Sequence, residues 1–350
     1  MFNPTNVNKV TVFCMTILSN NAYTKWRGEK TGGGEITFFT PTYNRSSFLN
    51  RIYGCLLAQT NKNFVWILVN DGSTDNTVEV AKKLMDKNDF PILFISKENG
   101  HKHSCFKVAL ENCQTEFFVC MDDDDIYKPN SVDFFLREWK IIKEDGIEDV
   151  GAIRTLTQKE DGTFLSNIPI TDSEIGKRID MSTLECNHVF GIIQENWTCY
   201  DTEKLKEIDL FPNDYWLHEK HRFFLESIWQ GRFARKYKCR YINVVLREYR
   251  EDASTSILRS NKGYQHYLDM FINTFMIANE QYDYFGKNKR EVFKMALFLQ
   301  WLRYYVGINF LEMIRHTRHR GMNLALWSTL PLSCLGKVVI KIRNRKKCCH

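Results

Sequence analysis

The stretch that decides the fold is EITFFTPTYNRSSFLNRIYGCLLAQTNKNFVWILVNDGSTDN, residues 35–76. It opens with an apolar run at 35–40, shows apolar positions at helical spacing over 46–58, and returns to an apolar run at 64–70. Short apolar runs bounded by turn residues are typical of buried strands, and the spacing between them predicts a helix. A strand, a helix and a strand in this order predict two parallel strands joined by a helical crossover.

The same alternation continues along the chain. Apolar runs at 91–96 and 117–121 predict two more strands, with a helical pattern between them. We therefore expect an α/β fold, with a doubly wound and mostly parallel sheet covered by helices on both faces. The sequence contains no internal repeat and no long low-complexity segment.

The second half gives weaker patterns. Residues 213–231, NDYWLHEKHRFFLESIWQG, have helical spacing, and Gly231 predicts the end of that helix. Residues 236–251, KYKCRYINVVLREYRE, predict a pair of strands near the sheet edge. Residues 264–320 predict consecutive helices rich in aromatic and basic side chains.

Composition excludes several classes of protein. The 350 residues include 11 cysteines with no CxxC spacing, so neither a disulfide framework nor a zinc site is expected. The apolar segment 10–18 is too short to span a bilayer and predicts a first strand or a loosely attached arm. We therefore expect a cytoplasmic protein.

The net charge of +6 is unevenly distributed. Residues 313–350 hold nine Lys and Arg and no Asp or Glu. No nucleic-acid reader motif accompanies this charge, so a nucleic-acid partner is not expected. Residues 322–347 combine apolar and basic side chains, which predicts either an interfacial segment on anionic lipid or a helix pair packed on the catalytic domain.

Four polar loops each follow a predicted strand: TPTYNR, NDGSTD, ENGHKH and DDDDIY. In a parallel sheet the carboxyl ends of the strands meet at one edge, where ligands bind. Within these loops, Tyr43 offers a ring to stack on a base, Asp71 offers an acceptor to a base or ribose, and Lys102 offers a cation to a diphosphate. An ordinary turn tyrosine and a solvated charged loop stay open as alternatives.

The fourth loop holds four consecutive carboxylates, Asp122, Asp123, Asp124 and Asp125. Hard divalent cations such as Mg²⁺ or Mn²⁺ prefer oxygen ligands and share them with diphosphates. A calcium loop is a poor match, because its central Gly and closing Glu are missing. The run therefore predicts a cation and diphosphate site, with a solvated acidic turn as the alternative.

These motifs, in this order and spacing, resemble the nucleotide-binding half of a family 2 glycosyltransferase with the GT-A fold. The resemblance covers residues 35–135 and, more weakly, 190–255, and it is closest to bacterial enzymes of surface-polysaccharide synthesis. It implies inverting sugar transfer from a nucleotide sugar, most simply a UDP-sugar, to a hydroxyl of a glycan or lipid-linked acceptor. It also implies Mn²⁺ or Mg²⁺ as the cofactor.

The resemblance assigns roles by position. Asp122-Asp123-Asp124 match the family's Asp-x-Asp motif, with Asp124 on the metal and Asp122 on the ribose or the metal. Asp71 would pair with uracil. The remaining residues predicted to bind the nucleotide are Thr40, Pro41, Tyr43, Lys102 and Asp123.

The catalytic base is less certain in the sequence. The family often shows Glu-Asp at the start of a helix in the second half, whereas here Glu219 is followed by Lys220. If the predicted helix is continuous, Glu226 lies about 10 Å further along nearly the same face. Glu219 is the preferred base and Glu226 the alternative, with Asp214 as an outside candidate.

The expected organisation is an N-terminal arm (1–34), a nucleotide-sugar-binding half (35–135), an acceptor-binding half (136–260) and a helical basic C-terminal region (261–350). If the tail binds lipid, the protein acts at the inner face of the cell membrane. A nucleotide- or glycan-binding protein that has lost catalysis is the main alternative. A sugar-nucleotide-forming nucleotidyltransferase is a weaker one, because the loop after the first strand contains no glycine.

Overall fold

The structure is a computed structural model that describes residues 11–18, 21–28, 33–167, 175–250 and 263–332. The chain divides into two compact units. The first comprises Met1–Ser182, Ile192–Ile208 and Phe233–Ser256. The second comprises Thr183–Gly191, Asp209–Arg232 and Ile257–His350. Most of the C-terminal tail, from residue 333 onward, lies outside the described residues.

The first unit is built on one large sheet. Its described strands are β1 (Thr11–Leu18), β2 (Asn21–Arg27), β3 (Ile36–Thr42), β4 (Phe64–Asn70), β5 (Ile92–Lys97), β6 (Phe117–Cys120), β7 (Ile126–Tyr127), β8 (Val150–Lys159), β9 (Arg178–Met181), β10 (Asn196–Asp201) and β11 (Lys238–Tyr249). They are ordered β1-β2-β5-β4-β3-β6-β10-β8-β11-β7, and β9 pairs with β11.

The helices that follow the strands of the first unit are α1 (Ser46–Leu57), α2 (Thr77–Met85), α3 (His101–Asn112), α4 (Ser131–Glu144) and α5 (Thr202–Lys206). The strands β5, β4, β3 and β6 run parallel, as the alternation of strand and helix predicts. One face of the sheet buries the rings of Phe38, Trp66 and Phe94, and the other buries those of Phe39 and Phe118. The prediction of an α/β fold with a large central sheet is confirmed.

Three features of this sheet differ from a simple parallel arrangement. β2 adds to β5 in antiparallel register, so residues 21–27 form a strand of the sheet. β10 inserts antiparallel between β6 and β8. The predicted strand pair at 236–251 is wrong: Lys238–Tyr249 is one strand, with register shifts against β8. A continuous strand forms there because it pairs with β8 on one side and with β7 and β9 on the other.

The second unit is helical. Its described helices are α6 (Glu226–Ala234), which continues into the first unit, α7 (Tyr264–Glu280), α8 (Tyr282–Phe285), α9 (Lys289–Val306), α10 (Phe310–His316) and α11 (residues 320–332). Its core includes Phe271, Leu299, Met313 and Leu326. The predicted run of C-terminal helices is confirmed. Among the residues that the structure describes, none of the helices has the length and hydropathy needed to cross a bilayer.

Candidate active site

The four consecutive aspartates follow β6 at the carboxyl edge of the parallel strands. Their side chains divide into two pairs. Asp123 and Asp125 are buried, whereas the side chains of Asp122 and Asp124 are 30% and 27% exposed. Only the second pair therefore offers carboxylate oxygens to a ligand from solvent.

The buried pair is held by arginines from distant parts of the chain. Asp123 accepts hydrogen bonds from Thr42 Oγ1 at 3.0 Å and from Arg45 Nη1 at 2.5 Å. Asp125 accepts from Arg247 Nε at 2.5 Å and from the backbone N–H of Arg250 at 3.1 Å. Burial raises the pKa of Asp123 to about 7 and that of Asp125 to about 6, against the opposing charge of each arginine. These two residues fix the loop.

The exposed pair is also surrounded by cations. Lys102 Nζ lies 2.7 Å from Asp122 Oδ1, and Arg247 Nη2 lies 3.5 Å from Asp122 Oδ2. Burial opposes ionisation of Asp122, but the charges of Lys102 and Arg247 outweigh it and lower its pKa to about 2. Arg45 bridges the run, because its second nitrogen lies 2.8 Å from Asp124 Oδ2. The edge thus mixes ionised carboxylates with cations suited to phosphate oxygens.

The donor set fits a hard divalent cation that shares its ligands with a substrate. The partly exposed oxygens of Asp122 and Asp124 are the kind that Mg²⁺ and Mn²⁺ prefer. In the described ranges, no three His, Cys, Asp or Glu side chains are grouped closely enough to hold a metal by themselves. Mg²⁺ is commonly bound through one or two carboxylates together with substrate phosphates, which is the arrangement these residues allow.

Asp71 follows β4 and organises the neighbouring loop. Its Oδ1 accepts from Lys97 Nζ at 2.8 Å and from the backbone N–H of Gly100 at 2.9 Å. Its Oδ2 accepts from Asn99 Nδ2 at 3.2 Å. Gly72 has a φ of +77°, and a Cβ there would lie 2.8 Å from the backbone nitrogen of Asn99. Asp71 therefore fixes the loop after β5.

Sequence reasoning passed over Lys97, Asn99, Arg45 and Arg247. Arg45 is the last residue of the TPTYNR loop, and Lys97 is the last residue of β5. Asn99 follows β5, and Arg247 lies near the end of β11. Their polar side chains near strand ends were the signal in the sequence that could have identified them. A cavity of about 520 Å³ is lined by residues that flank Asp71, including Asn70, Gly72 and residues 96–99. None of the four aspartates lines it, so this cavity is separate from the acidic run.

The residues expected to frame the base lie at the end of β3. Thr40 is buried, and its Oγ1 accepts a hydrogen bond from the Trp66 indole at 3.0 Å. Its side chain therefore stabilises the core, and its backbone lies in β3 opposite Leu68 of β4. Pro41 is partly buried within β3, and Tyr43 presents an exposed ring just beyond it.

The two candidate bases lie in the second unit, and the helix expected to carry both is not continuous. Glu219 lies in a short 3₁₀ turn, His218–Lys220, that follows Leu217 at a left-handed φ of 68°. Glu226 is the first residue of α6, which runs past Gly231 to Ala234. Glu219, Glu226 and Asp214 are all exposed. The predicted common helical face for the two glutamates is therefore wrong.

The segment between the two glutamates is held by α7. Asp269 accepts a hydrogen bond from the backbone N–H of Arg222 at 2.8 Å. Asn273 accepts from the backbone N–H of Leu225 at 3.1 Å and donates to the carbonyl of Phe223 at 2.7 Å. Side chains of α7 thus satisfy backbone groups that a helix would have paired internally.

The chain is similar to known glycosyltransferases. The family described as Glycosyl transferase family 2 matches residues 37–193. An uncharacterized glycosyltransferase of Rickettsia conorii is 38% identical over 100 residues, which is 28% of this chain and 16% of that protein. Chondroitin synthase of Pasteurella multocida is 32% identical over 193 residues, which is 51% of this chain and 19% of the synthase. The chain thus spans less than a third of the length of these relatives.

Solved structures show the same fold at low identity. TarS residues 1–349 of S. aureus, crystallised with UDP-GlcNAc, superpose with a TM-score of 0.52 and 15% identity, over 82% of each chain. A second crystal structure of the same TarS fragment gives a TM-score of 0.50 and 14% identity. The architecture of the sheet, the position of the polar loops at its carboxyl edge and these structural similarities all indicate the same fold. Residues 37–193 of this chain match the family 2 glycosyltransferase model, and the fold is GT-A-like.

Proposed function

We propose that the protein transfers a sugar from a nucleotide sugar to a hydroxyl group of a glycan or lipid-linked acceptor, with inversion. One observation carries the proposal. Within a family 2 domain, Asp122 and Asp124 present carboxylates at the carboxyl edge of the sheet, next to the cationic side chains of Lys102, Arg45 and Arg247. This combination suits a diphosphate leaving group.

The donor we propose is a UDP-sugar. The fold neighbour TarS was crystallised with UDP-GlcNAc, which supports a uridine nucleotide by analogy. In this chain Asp71 and the exposed ring of Tyr43 flank the edge where a uracil would lie. The Asp71 carboxylate already accepts hydrogen bonds from Lys97 and from the backbone of Gly100, and these contacts hold it in position. A uracil would donate a further hydrogen bond to the same carboxylate. Pro41 and the backbone of Thr40 would complete the frame.

Asp124 and Asp122 would hold the divalent cation, Mn²⁺ or Mg²⁺. When bound, the cation neutralises negative charge on the diphosphate. Lys102 and Arg247 lie within 3.5 Å of Asp122 and would donate to the same phosphate oxygens as the bond to the sugar breaks. Asp123 and Asp125 would not touch the substrate, because they are buried against Thr42, Arg45 and Arg247. They would keep the exposed pair in place.

A general base must take the proton of the attacking hydroxyl. Glu219 is our first candidate and Glu226 the second. Both are exposed carboxylates at the ends of the segment that α7 holds through Asp269 and Asn273. The acceptor we propose is part of a surface polysaccharide, in keeping with relatives such as chondroitin synthase.

The proposal is tested by incubating the purified protein with a panel of nucleotide sugars and Mn²⁺ or Mg²⁺, and measuring nucleotide release. We expect a UDP-sugar to turn over and a chelator to stop the reaction. Asp124→Asn should lower kcat/KM by about a hundredfold, because a charged ligand next to the leaving group is lost.

The matched control is Asp86→Asn, an exposed aspartate that ends α2 far along the chain from the acidic run. We expect it to keep wild-type turnover. If no donor is consumed with any acceptor tried, the enzymatic proposal fails. If Asp124→Asn matches the control, the metal assignment fails.

A further inference from the structure

The last described helix, α11, is apolar on both faces. Met322 and Leu326 on its inner face are fully buried in the core of the second unit. On its outer face Leu324 is 71%, Trp327 50% and Leu332 48% exposed. A helix that is apolar all round is normally buried in a core or placed in lipid. The exposed polar side chains of α11 are Arg320 and Ser328, and the rest of its exposed side is mainly apolar.

The apolar surface continues onto the neighbouring helix. Leu311 on α10 is 54% exposed, and the ring of Phe310 lies 4.7 Å from that of Trp327 in an edge-to-face contact. We call the surface formed by Leu311, Leu324, Trp327 and Leu332 the C-terminal apolar face. Contiguous exposed apolar patches of this kind mark sites where proteins or membranes bind.

Positive charge is in excess around this face, because residues 310–332 hold three arginines and one acid, the exposed Glu312 next to Leu311. The sequence has no Asp or Glu after Glu312, and residues 313–350 hold nine Lys and Arg. Within the described part, Arg315, Arg318 and Arg320 are exposed. The other six cations of residues 313–350 lie in the sequence beyond the described residues. An apolar face on helices with an excess of positive charge is complementary to an anionic surface.

A second copy of the chain is a poor occupant. In a symmetric dimer the same surface patch meets itself, which would bring three arginines and one acid, Glu312, of each copy together and leave an excess of like charge. An anionic bilayer has the opposite properties, because it accepts apolar side chains at the level of its headgroups and attracts Lys and Arg. Trp is also enriched at that depth.

We propose that the C-terminal apolar face docks on an anionic lipid bilayer, with Leu324 and Trp327 inserted and with Arg315, Arg318 and Arg320 on the headgroups. Insertion of the apolar side chains and attraction of the arginines to anionic headgroups are both needed, because a single weak anchor gives only marginal membrane binding. This surface is a second function of the chain and does not depend on sugar transfer. It would hold the protein where a lipid-linked acceptor is found.

The test is flotation of the full-length protein with vesicles of phosphatidylcholine alone or with added phosphatidylglycerol. We expect the wild type to float with the anionic vesicles, and raised salt to weaken the association because it screens the charges. Leu324→Glu should lower the partition coefficient by about tenfold, since it removes a large apolar contact and adds a repelled charge.

The matched control is Leu57→Glu, an exposed leucine (46%) at the end of α1 in the first unit. It adds the same charge away from the face and should float like the wild type. Circular dichroism melts check that both variants fold. Because Leu324 is more exposed than Leu57, its replacement should cost no more stability.

Three outcomes overturn the proposal. The first is equal flotation of Leu324→Glu and the wild type. The second is equal binding to neutral and anionic vesicles, which removes the role of charge. The third is a wild type that does not float but sediments as a dimer, with Leu324→Glu as a monomer, which makes a second copy the occupant. Nucleotide release by Leu324→Glu, measured in parallel with a soluble acceptor, reports separately on the proposed transferase.

Discussion

At the scale of single residues, the acidic run shows how neighbours of one type take different positions. The sequence predicts the metal and ribose contacts for Asp122 and Asp124, places Asp123 between them among the nucleotide-binding residues, and gives Asp125 a supporting position. The structure exposes the first pair and buries the second. The sequence does not reveal which cations hold the buried pair, because Arg45 and Arg247 reach it across 78 and 122 residues.

Glu219→Gln and Glu226→Gln test the base at this scale. We expect Glu219→Gln to lower turnover by about a hundredfold or more, because glutamine cannot accept the acceptor's proton. Calorimetric binding of the donor should be unchanged, since the nucleotide contacts lie on other residues. Glu226→Gln should stay within a few-fold of the wild type.

Glu203→Gln, on the exposed surface of α5, is the control for removal of one surface charge. The reverse result, with Glu226→Gln inactive and Glu219→Gln active, would move the base to Glu226. Full activity of both variants would exclude both and leave Asp214 as the next residue to replace.

At the scale of elements, the segment 213–231 shows why helical spacing alone misled. Its apolar positions recur as in a helix, yet the backbone of Leu217 has a left-handed conformation and α6 begins only at Glu226. Asp269 and Asn273 on α7 bind the backbone of residues 222–225 and so replace the hydrogen bonds that a helix would form. Tertiary contacts outweighed the local preference.

Asn273→Ala tests this role of α7. Asn273 is buried, and its loss leaves the backbone groups of Leu225 and Phe223 without their partners. We expect the free energy of unfolding, measured by urea titration, to fall by about 2 kcal/mol. Gln265→Ala, at the exposed start of the same helix, should have a clearly smaller effect. Equal effects of the two variants would show that Asn273 does not hold the segment.

At the scale of the whole molecule, each of the two units has a large hydrophobic core among its described residues. One lies on the sheet and includes Ile52 and Trp66. The other lies among the C-terminal helices and includes Ile272 and Leu299. Residues 209–232, with both candidate bases, cluster with the helices of the second unit. The sequence assigns these residues to the acceptor-binding half, 136–260, and that assignment stays a prediction.

We expect calorimetry to resolve two thermal transitions, because each unit buries its own core. Ile272→Val should lower the free energy of unfolding of the second unit, and Ile52→Val that of the first. We expect about 1 kcal/mol in each case, because one buried methyl group is lost. Both isoleucines are buried, so the pair is matched in chemistry and exposure. A single transition that both variants shift equally would show that the two cores unfold as one.

The sequence by itself determined the parallel half of the sheet and the gathering of four loops at its edge. Both follow from local information, since apolar runs, helical spacing and turn residues lie within a few tens of positions. It also indicated the helical C-terminal region, because the aromatic and basic helices are long and regularly patterned.

Only the tertiary structure decided which carboxylates face solvent, which arginines hold the others, and where β2, β10 and β11 join the sheet. These depend on contacts between residues far apart in the chain, which no local pattern records. The break between Glu219 and Glu226 has the same origin, because it is set by α7, some 40 to 50 residues further along.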